Sequence, residues 1–317
     1  MKKLVNTKDL SYTEWLTWRQ KGIGGSDAGA VVGLNPYKSP IDVYVEKTSE
    51  EVQAKEPNEA MRLGTDLEEY VAKRWEEATG KKVRRNNFMM AHDDYPWMVA
   101  NVDREVIGEN AILECKTASP YSADKWKDGE TPQHYVIQCL HYMAVTGAEK
   151  CYLACLIFSK GLEFRVIERD EDTINALIDI EKEFWNEYVL KNQLPPPDGS
   201  DAADECIRAL YPESEASTYA SLDETYISSC KRLDQITELK KELEDEEKML
   251  KQEIQLEMKE AETAYAGTYK VTWKSTKPRE TFDTKKFKAE HPELATQYIK
   301  IGKPSRRFSI KNEEFEQ

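Results

Sequence analysis

The tightest constraint on what this chain can fold into is the pairing of Asn101-Val102-Asp103 with the run Ile112-Leu113-Glu114-Cys115-Lys116 just downstream. Residues 99–106 are mostly apolar or β-branched, Gly108-Glu109-Asn110 reads as a turn, and 111–113 read as a buried strand. The two segments therefore form a hairpin. Side chains alternate along a strand, so Glu114 and Lys116 share a face, and the hairpin can bring Asp103 to them. Charge gathered at the end of an apolar strand costs free energy unless a partner compensates. Two carboxylates suit a hard divalent cation such as Mg²⁺, which takes oxygen ligands and keeps several waters. A lysine on the same face can hold, or help deprotonate, a water on that cation. A charged hairpin edge would carry the same residues, so neighbouring features decide.

Three of them bear on the question. Arg62-Leu63-Gly64-Thr65-Asp66-Leu67-Glu68 opens a helix predicted over 58–79 and ended by Gly80. In it Gly64 admits a close neighbour, and Tyr70, Val71 and Trp75 form an apolar stripe. Glu68 is either a solvated carboxylate, as Glu69 reads, or a third acid at the cation site. Next, Tyr135, Gln138 and Tyr142 share one face of a helix opened by Pro132 and can donate hydrogen bonds to a phosphate. Finally, Gly24-Gly25-Ser26 precedes a short Ala/Val-rich helix over 27–32. Its N–H groups, hydroxyl and helix terminus favour an anion. Arg19 adds a bidentate phosphate grip. The plain alternative is an N-cap by Ser26 or Asp27.

An aspartate followed by Glu-x-Lys is the pattern of metal-dependent phosphodiesterases, which points to a nuclease. The ordered set goes further: Trp18-Arg19, Ile23-Gly24-Gly25-Ser26-Asp27-Ala28, Gly33-Leu34-Asn35-Pro36-Tyr37, Gly64 with Glu68, Asn101-Val102-Asp103, Glu114-Cys115-Lys116, and Tyr135 and Gln138 with His141-Tyr142-Met143. Over about residues 10–195 this order resembles the YqaJ-type viral recombinases, related to phage lambda exonuclease within the PD-(D/E)xK nucleases.

The resemblance implies an α/β fold with a restriction-endonuclease-like core, a central mixed β-sheet flanked by helices. It implies that Asp103, Glu114 and the Cys115 backbone carbonyl hold a first metal, Mg²⁺ or alternatively Mn²⁺. Lys116 would position the attacking water, and Glu68 would support the metal cluster. Arg19, Ser26 and Gln138, with Tyr135 beside them, resemble a pocket for a terminal 5′-phosphate. Asn101 stands where the lambda enzyme has serine, and a further acid of that enzyme falls at Asp93 or Asp94. Val102 replaces the usual proline of the signature. The implied activity is 5′–3′ digestion of double-stranded DNA ends in phage or prophage recombination, by one or two metals. The implied partners are a single-strand annealing protein (RecT/Bet-like) and further copies of the chain in a ring-shaped homotrimer. Two other readings remain: a structure-specific or endonucleolytic enzyme on the same core, and a noncatalytic DNA-end or partner-binding module.

Composition sets outer bounds. The 317 residues, 39% hydrophobic, suffice for one large domain or two smaller ones. A net charge of −14 argues against a protein that coats DNA nonspecifically, but not against a focused cleft. No long apolar run predicts a membrane span, and the N-terminus lacks a signal-peptide core. Six cysteines without a CxxC pair read as reduced thiols, so a cytoplasmic location is expected, which the resemblance makes that of a bacterial host. His134 and His141 lack the neighbours of a zinc site, and nothing in the chain suggests a nucleophile triad.

The organisation follows from patterning. Helices are expected on both sides of the Gly-Gly-Ser turn and from Ser39-Pro40, then a polar loop at 50–59. Strands are expected near 82–90, 97–106 and 111–116, and an alternating hairpin across Ser159-Lys160-Gly161. An amphipathic helix covers 170–191. Pro195-Pro196-Pro197 marks a boundary, so the nuclease domain is drawn at 1–197. A linker and long acidic helix take 198–262, and a small basic, β-containing tail takes 263–317. Over 222–257 a 4–3 spacing runs through Leu222, Tyr226, Ser229, Leu233, Ile236, Lys240, Leu243, Glu247, Leu250, Ile254 and Glu257. That helix is expected to pack on its own domain, with a coiled coil as the alternative. Residues 223–262 hold 13 acidic and 7 basic side chains, whereas 268–311 hold 12 basic and 4 acidic. The tail is thus a candidate nucleic-acid footprint. Its two strands are expected at either side of a helix near 285–290. Trp273 beside Lys270 and Lys274 either stacks on a base or packs beneath the long helix. Lys81-Lys82 with Arg84-Arg85 reads as a solvated basic face.

Overall fold

The structure, a computed structural model, describes residues 1–52, 58–300, 302 and 305–311. Half of the polar loop expected at 50–59 and the end of the basic tail lie outside them. The chain divides into two compact units, Met1–Leu210 and Tyr211–Gln317.

The first unit begins with β1 (Lys2–Asn6), α1 (Tyr12–Gln20), α2 (Gly25–Val31), α3 (Pro40–Thr48) and α4 (Glu59–Thr79). The strands β2 (Val83–Arg85), β3 (Phe88–Ala91), β4 (Val99–Ala100), β5 (Arg104–Val106) and β6 (Ala111–Ala118) follow. Then come α5 (Gln133–Thr146), the hairpin β7 (Lys150–Ile157) and β8 (Gly161–Glu168), α6 (Glu171–Glu183) and α7 (Asp201–Leu210). The main sheet has the order β2-β5-β6-β7-β8. Its β6–β7 pair is parallel and the rest antiparallel, so the sheet is mixed, as expected. A smaller sheet, β1-β3-β4, lies apart from it in pairing.

Local chemistry explains the elements that carry charged groups. Asn58 caps α4, its side chain accepting from the Met61 N–H at 2.9 Å, and Gly80 ends it at φ 72°. A left-handed residue there costs glycine nothing. Val71, Ala72 and Trp75 of α4 pack with Leu113, Tyr152 and Ala154 on one face of the sheet. On the other face Cys139, Leu140 and Met143 of α5 pack with Ile112, Cys151, Leu153 and Cys155. The alternation of β6 therefore sends Leu113, Cys115 and Thr117 toward α4, and Ile112, Glu114 and Lys116 toward α5.

Several expectations need correcting. The segment 82–90 is two strands joined to different sheets. Asn86 breaks it by accepting from the Phe88 N–H and donating to Glu105. Neither Ser26 nor Asp27 caps α2; Gly24 does, and Asp27 accepts the Gly24 N–H from inside the helix at 3.1 Å. Gly64 meets only Thr117 Oγ1, and at 3.6 Å a methyl group there would make ordinary contact. The helix over 170–191 ends α6 in a π-helical turn at Phe184–Val189. Past the prolines, α7 docks Ala203 and Cys206 on Ile41 of α3, so the compact unit runs to Leu210. The basic cluster near β2 is the solvated face expected, its exposed side chains paired at the surface: Lys82 with Glu76, Arg84 with Glu105, Arg85 with Glu68.

The second unit holds α8 (Tyr226–Met258), the hairpin β9 (Thr263–Ala266) and β10 (Tyr269–Thr272), α9 (Thr284–Glu290) and α10 (Pro292–Gln297). Leu233, Leu243, Leu250 and Ile254 of α8 are exposed, so the helix does not bury its apolar stripe as expected. β10 pairs with β9, and residues 305–310 form no strand.

Candidate active site

Asp103 immediately precedes β5, and the β5–β6 register, Arg104 opposite Leu113, sets it opposite Glu114. Its Oδ2 accepts the Cys115 backbone N–H at 2.8 Å. Glu114, 3% exposed, is buried on the α5 side. Its Oε1 accepts from Gln138 Nε2 at 2.6 Å and from Lys116 Nζ at 2.7 Å. Its Oε2 is buried without a hydrogen-bond partner. Gln138 also donates to the Tyr142 hydroxyl at 3.2 Å, and Lys116 Nζ stands 5.3 Å from the centre of the Tyr135 ring.

The electrostatics are those of a site holding too much negative charge. Burial, then repulsion from Glu114 and Glu68, pushes the Asp103 carboxyl well above the usual carboxylate range. Burial likewise raises Glu114 against the pull of Lys116. Lys116 shows the converse: burial works against its ammonium, but Glu114 and Asp103 outweigh it and hold its pKa above the ordinary value. Burial and repulsion from Glu114 also raise the Tyr142 phenol.

These residues fit a hard divalent cation. An orphaned buried carboxylate oxygen beside a second, partly shielded carboxylate is what such an ion would relieve. Among the described residues no three His, Cys, Asp or Glu side chains converge as a complete cage. Mg²⁺ does not require one, because it is held by one or two carboxylates with waters and phosphate oxygens.

Glu68 is not drawn into bonds with Asp103 or Glu114. It lies on α4, which covers the opposite face of the sheet, and so does the Arg104 side chain, opposite Leu113. The buried Arg104 donates to Glu68, to Glu69 at 2.9 Å and to the Asp103 carbonyl at 2.8 Å. Arg85 reaches Glu68 at 3.4 Å. Glu69 is thus also ion-paired, not merely solvated. Neither Asp93 nor Asp94 joins the cluster; Asp93 is exposed and pairs with the chain's amino group at 2.5 Å.

The phosphate-pocket candidates are brought together only in part. Arg19 donates to Ser26 Oγ at 2.8 Å and to Asp27 Oδ1 at 3.2 Å. A Cβ on Gly25 would sit 2.5 Å from the Tyr142 ring and 3.0 Å from Gln138 Cγ. Only glycine lets the Arg19–Ser26 turn lie against the residues that hold Glu114. Gln138 itself is turned to Glu114. Asn101, in the β4–β5 connection, has its Oδ1 buried without a partner. Tyr135 packs on His134, ring centres 4.1 Å apart, and faces Lys116.

Two buried polar networks beside the site were not foreseen. Asp27, fully buried, binds Lys38 and Lys47, each at 2.7 Å, as well as Arg19. Lys47 also donates to the Arg19 carbonyl at 2.9 Å. Burial opposes the Asp27 charge, yet the three cations hold its carboxyl well below the usual range. On α5, His141 faces Glu181 of α6 at 2.8 Å through Nδ1 and donates from Nε2 to the Val99 carbonyl at 3.0 Å. The first could be sensed only as an acid in an Ala-rich helix, since its cations come from distant positions. The second had no sequence signal beyond a histidine on an apolar helix.

Comparison with known proteins places the chain among relatives. A family model described as the YqaJ-like viral recombinase domain matches residues 14–149. The YqaJ protein of Bacillus subtilis (strain 168) is 40% identical over 312 residues, 97% of each chain. Among solved structures, an alkaline exonuclease (LHK-Exo) from Laribacter hongkongensis is 22% identical, with a TM-score of 0.48, over 56% of this chain and 93% of that one. A phage-related exonuclease from Haemophilus somnus 129PT is 13% identical, with a TM-score of 0.40, over 54% and 96%.

Proposed function

The chain belongs to the YqaJ-like viral recombinase family, and from that premise we propose that it is a metal-dependent DNA exonuclease of phage or prophage recombination. The observation that carries the reading is the buried Asp103–Glu114–Lys116 cluster with its orphaned Glu114 oxygen. A cation held by Asp103 and Glu114, with the Cys115 carbonyl, would supply Lewis-acid activation of water and offset charge on the scissile phosphate.

The chain's own residues do the positioning. The Cys115 N–H fixes one oxygen of Asp103 and leaves the other for a ligand. Gln138 and Lys116 both bind Glu114 Oε1, which fixes the carboxylate's rotamer and aims Oε2 into the site. Lys116, bonded to Glu114 Oε1, stands where its ammonium can orient the attacking water and offset charge at the phosphate. Glu68, held by Arg104, adds negative charge from the far side and raises cation affinity. Arg19 and Ser26 grip a terminal 5′-phosphate, with Asn101, Gln138 and Tyr135 lining the approach. Arg19 keeps excess positive charge there because Asp27 is shared among three cations. The enzyme would digest the 5′-ended strand, use Mg²⁺ or Mn²⁺, and work in the bacterial cytoplasm. It would assemble as a trimer and hand the 3′ strand to a single-strand annealing protein. No described helix is long and apolar enough to cross a membrane.

A digestion time course on end-labelled linear duplex, with and without a 5′-phosphate, beside covalently closed circles, tests the reading. Stepwise loss from 5′-phosphorylated ends, Mg²⁺ dependence and intact circles are expected. Cutting of the circles would assign the site to an endonuclease instead.

A further inference from the structure

We propose that the β9–β10 hairpin binds single-stranded DNA. The pairing Tyr269–Ala266, Lys270–Tyr265, Val271–Ala264 and Thr272–Thr263 divides its side chains between two faces. Trp273 extends the ladder by donating its backbone N–H to the Glu262 carbonyl at 3.0 Å. Directly opposed residues share a face. One face therefore carries Tyr269 opposite Ala266, Val271 opposite Ala264 and Trp273 opposite Glu262; the other carries Lys270 with Tyr265, and Lys274 continues that face in sequence.

The first face has the form of a stacking platform. Ala266 leaves the Tyr269 ring standing above the sheet, and Trp273 lies at the end of the ladder opposite Glu262, whose carboxylate is 4.0 Å from Lys274; the two rings are 76% and 47% exposed. Among the described residues neither ring stacks on another. The two exposed rings offer surfaces on which a planar group can stack, and an unpaired base has a π-face on each side. The charge selects the same partner. Residues 268–311 hold 12 basic and 4 acidic side chains in a chain of net charge −14. Among the described residues of this stretch only Lys274 and Lys286 have a carboxylate within 4.0 Å, Glu262 and Glu290. Lys270, on the opposite face, and Lys277 and Arg279, which follow Trp273 in sequence, have no such neutralisation, so a polyanion gains affinity by displacing counterions. Duplex DNA would satisfy the lysines but bury its bases away from Tyr269 and Trp273, so the combination favours an unpaired strand. The choice of DNA over RNA rests on the exonuclease reading; the binding face does not.

The test is fluorescence anisotropy of a labelled oligothymidylate of about 20 nucleotides, longer than the site of one small binding module. It uses the full chain with chelator present, so neither cation nor turnover enters, and its failure is separable from failure of the nuclease assignment. The single strand is expected to bind at least about tenfold tighter than a duplex of equal length. Y269A/W273A should lose at least about fivefold per ring, whereas Y269F/W273F binds as the wild type does. K270E/K274E, on the opposite face, should weaken binding and flatten its dependence on salt. Far-UV circular dichroism checks the fold of each variant, and the lysine pair keeps the test decisive if the aromatic pair unfolds the hairpin. Unchanged affinity in both double variants overturns the proposal. So does equal affinity for duplex, or tighter binding of an oligouridylate.

Discussion

Replacing Asp27 with asparagine isolates the largest buried charge network beside the site. The carboxylate is fully buried and accepts from Lys38 and Lys47 at 2.7 Å each, Gly24 N–H at 3.1 Å and Arg19 at 3.2 Å. An amide of the same shape keeps the volume but removes the charge from three cations. Arg19 and Lys38 retain some solvent contact, and Lys38 also has Glu46 at 2.5 Å, so their loss is partly made up. Lys47 has only 2% of its side chain exposed and would be left facing an amide. Taking one partner from a buried ion pair costs about 3–5 kcal/mol. Burial already holds the Lys47 ammonium below its usual pKa, so it can shed its proton, which places D27N near the lower bound. For a unit of this size the loss corresponds to a fall in Tm of about 6–20 °C. Chemical denaturation followed by tryptophan fluorescence reads it, and K47M added to D27N should recover most of the loss. The acid limb carries a second signature. Asp27 has its folded pKa depressed, so its contribution is present above its unfolded value near 4 and is lost as pH falls through the folded one. D27N should flatten that limb. A variant within about 1 kcal/mol of wild type, the size of an ordinary substitution, with no rescue by K47M, would refute the reasoning.

Other consequences are as specific. W75A removes a fully buried ring between α4 and the sheet and should cost about 3–5 kcal/mol, read by urea denaturation. Q138A frees Glu114 from its positioning bond and should lower cation affinity or turnover by about 10–100-fold, with a stability loss of about 1–3 kcal/mol for the buried donor removed. The His141–Glu181 pair works in the opposite direction to Asp27. Burial opposes the His141 charge, but Glu181 outweighs it and raises the folded pKa above 6.5. Its stabilisation is therefore full below that value and lost as pH rises through the folded one. Denaturation midpoints from neutral to alkaline pH should fall in the wild type and flatten in E181Q.

What could be read from the sequence was what local chemistry decides. The α4 helix was legible because Asn58 and Gly80 mark its ends and Trp75 its buried face. The Glu114–Lys116 face was legible because strand alternation needs no tertiary information. Glu68 was harder: only the packing of α4 on the side away from Glu114 reveals that Arg104 claims it. Asp27 read as a cap because the lysines at 38 and 47 approach through the fold of α3, which no local pattern announces. The strand at 82–90 looked continuous until the Asn86 side chain, bonded to Glu105, interrupted it. The α7 helix was hidden because a short amphipathic turn after three prolines resembles a linker.

Asp103 and Glu114 must share a cation for the site to hydrolyse DNA as proposed. Titration of Mn²⁺ followed by the loss of its free-ion electron paramagnetic resonance signal tests this without DNA or turnover. Saturable binding by the wild type and its loss in both D103A and E114A is the predicted result. Undiminished Mn²⁺ uptake by either variant would contradict it.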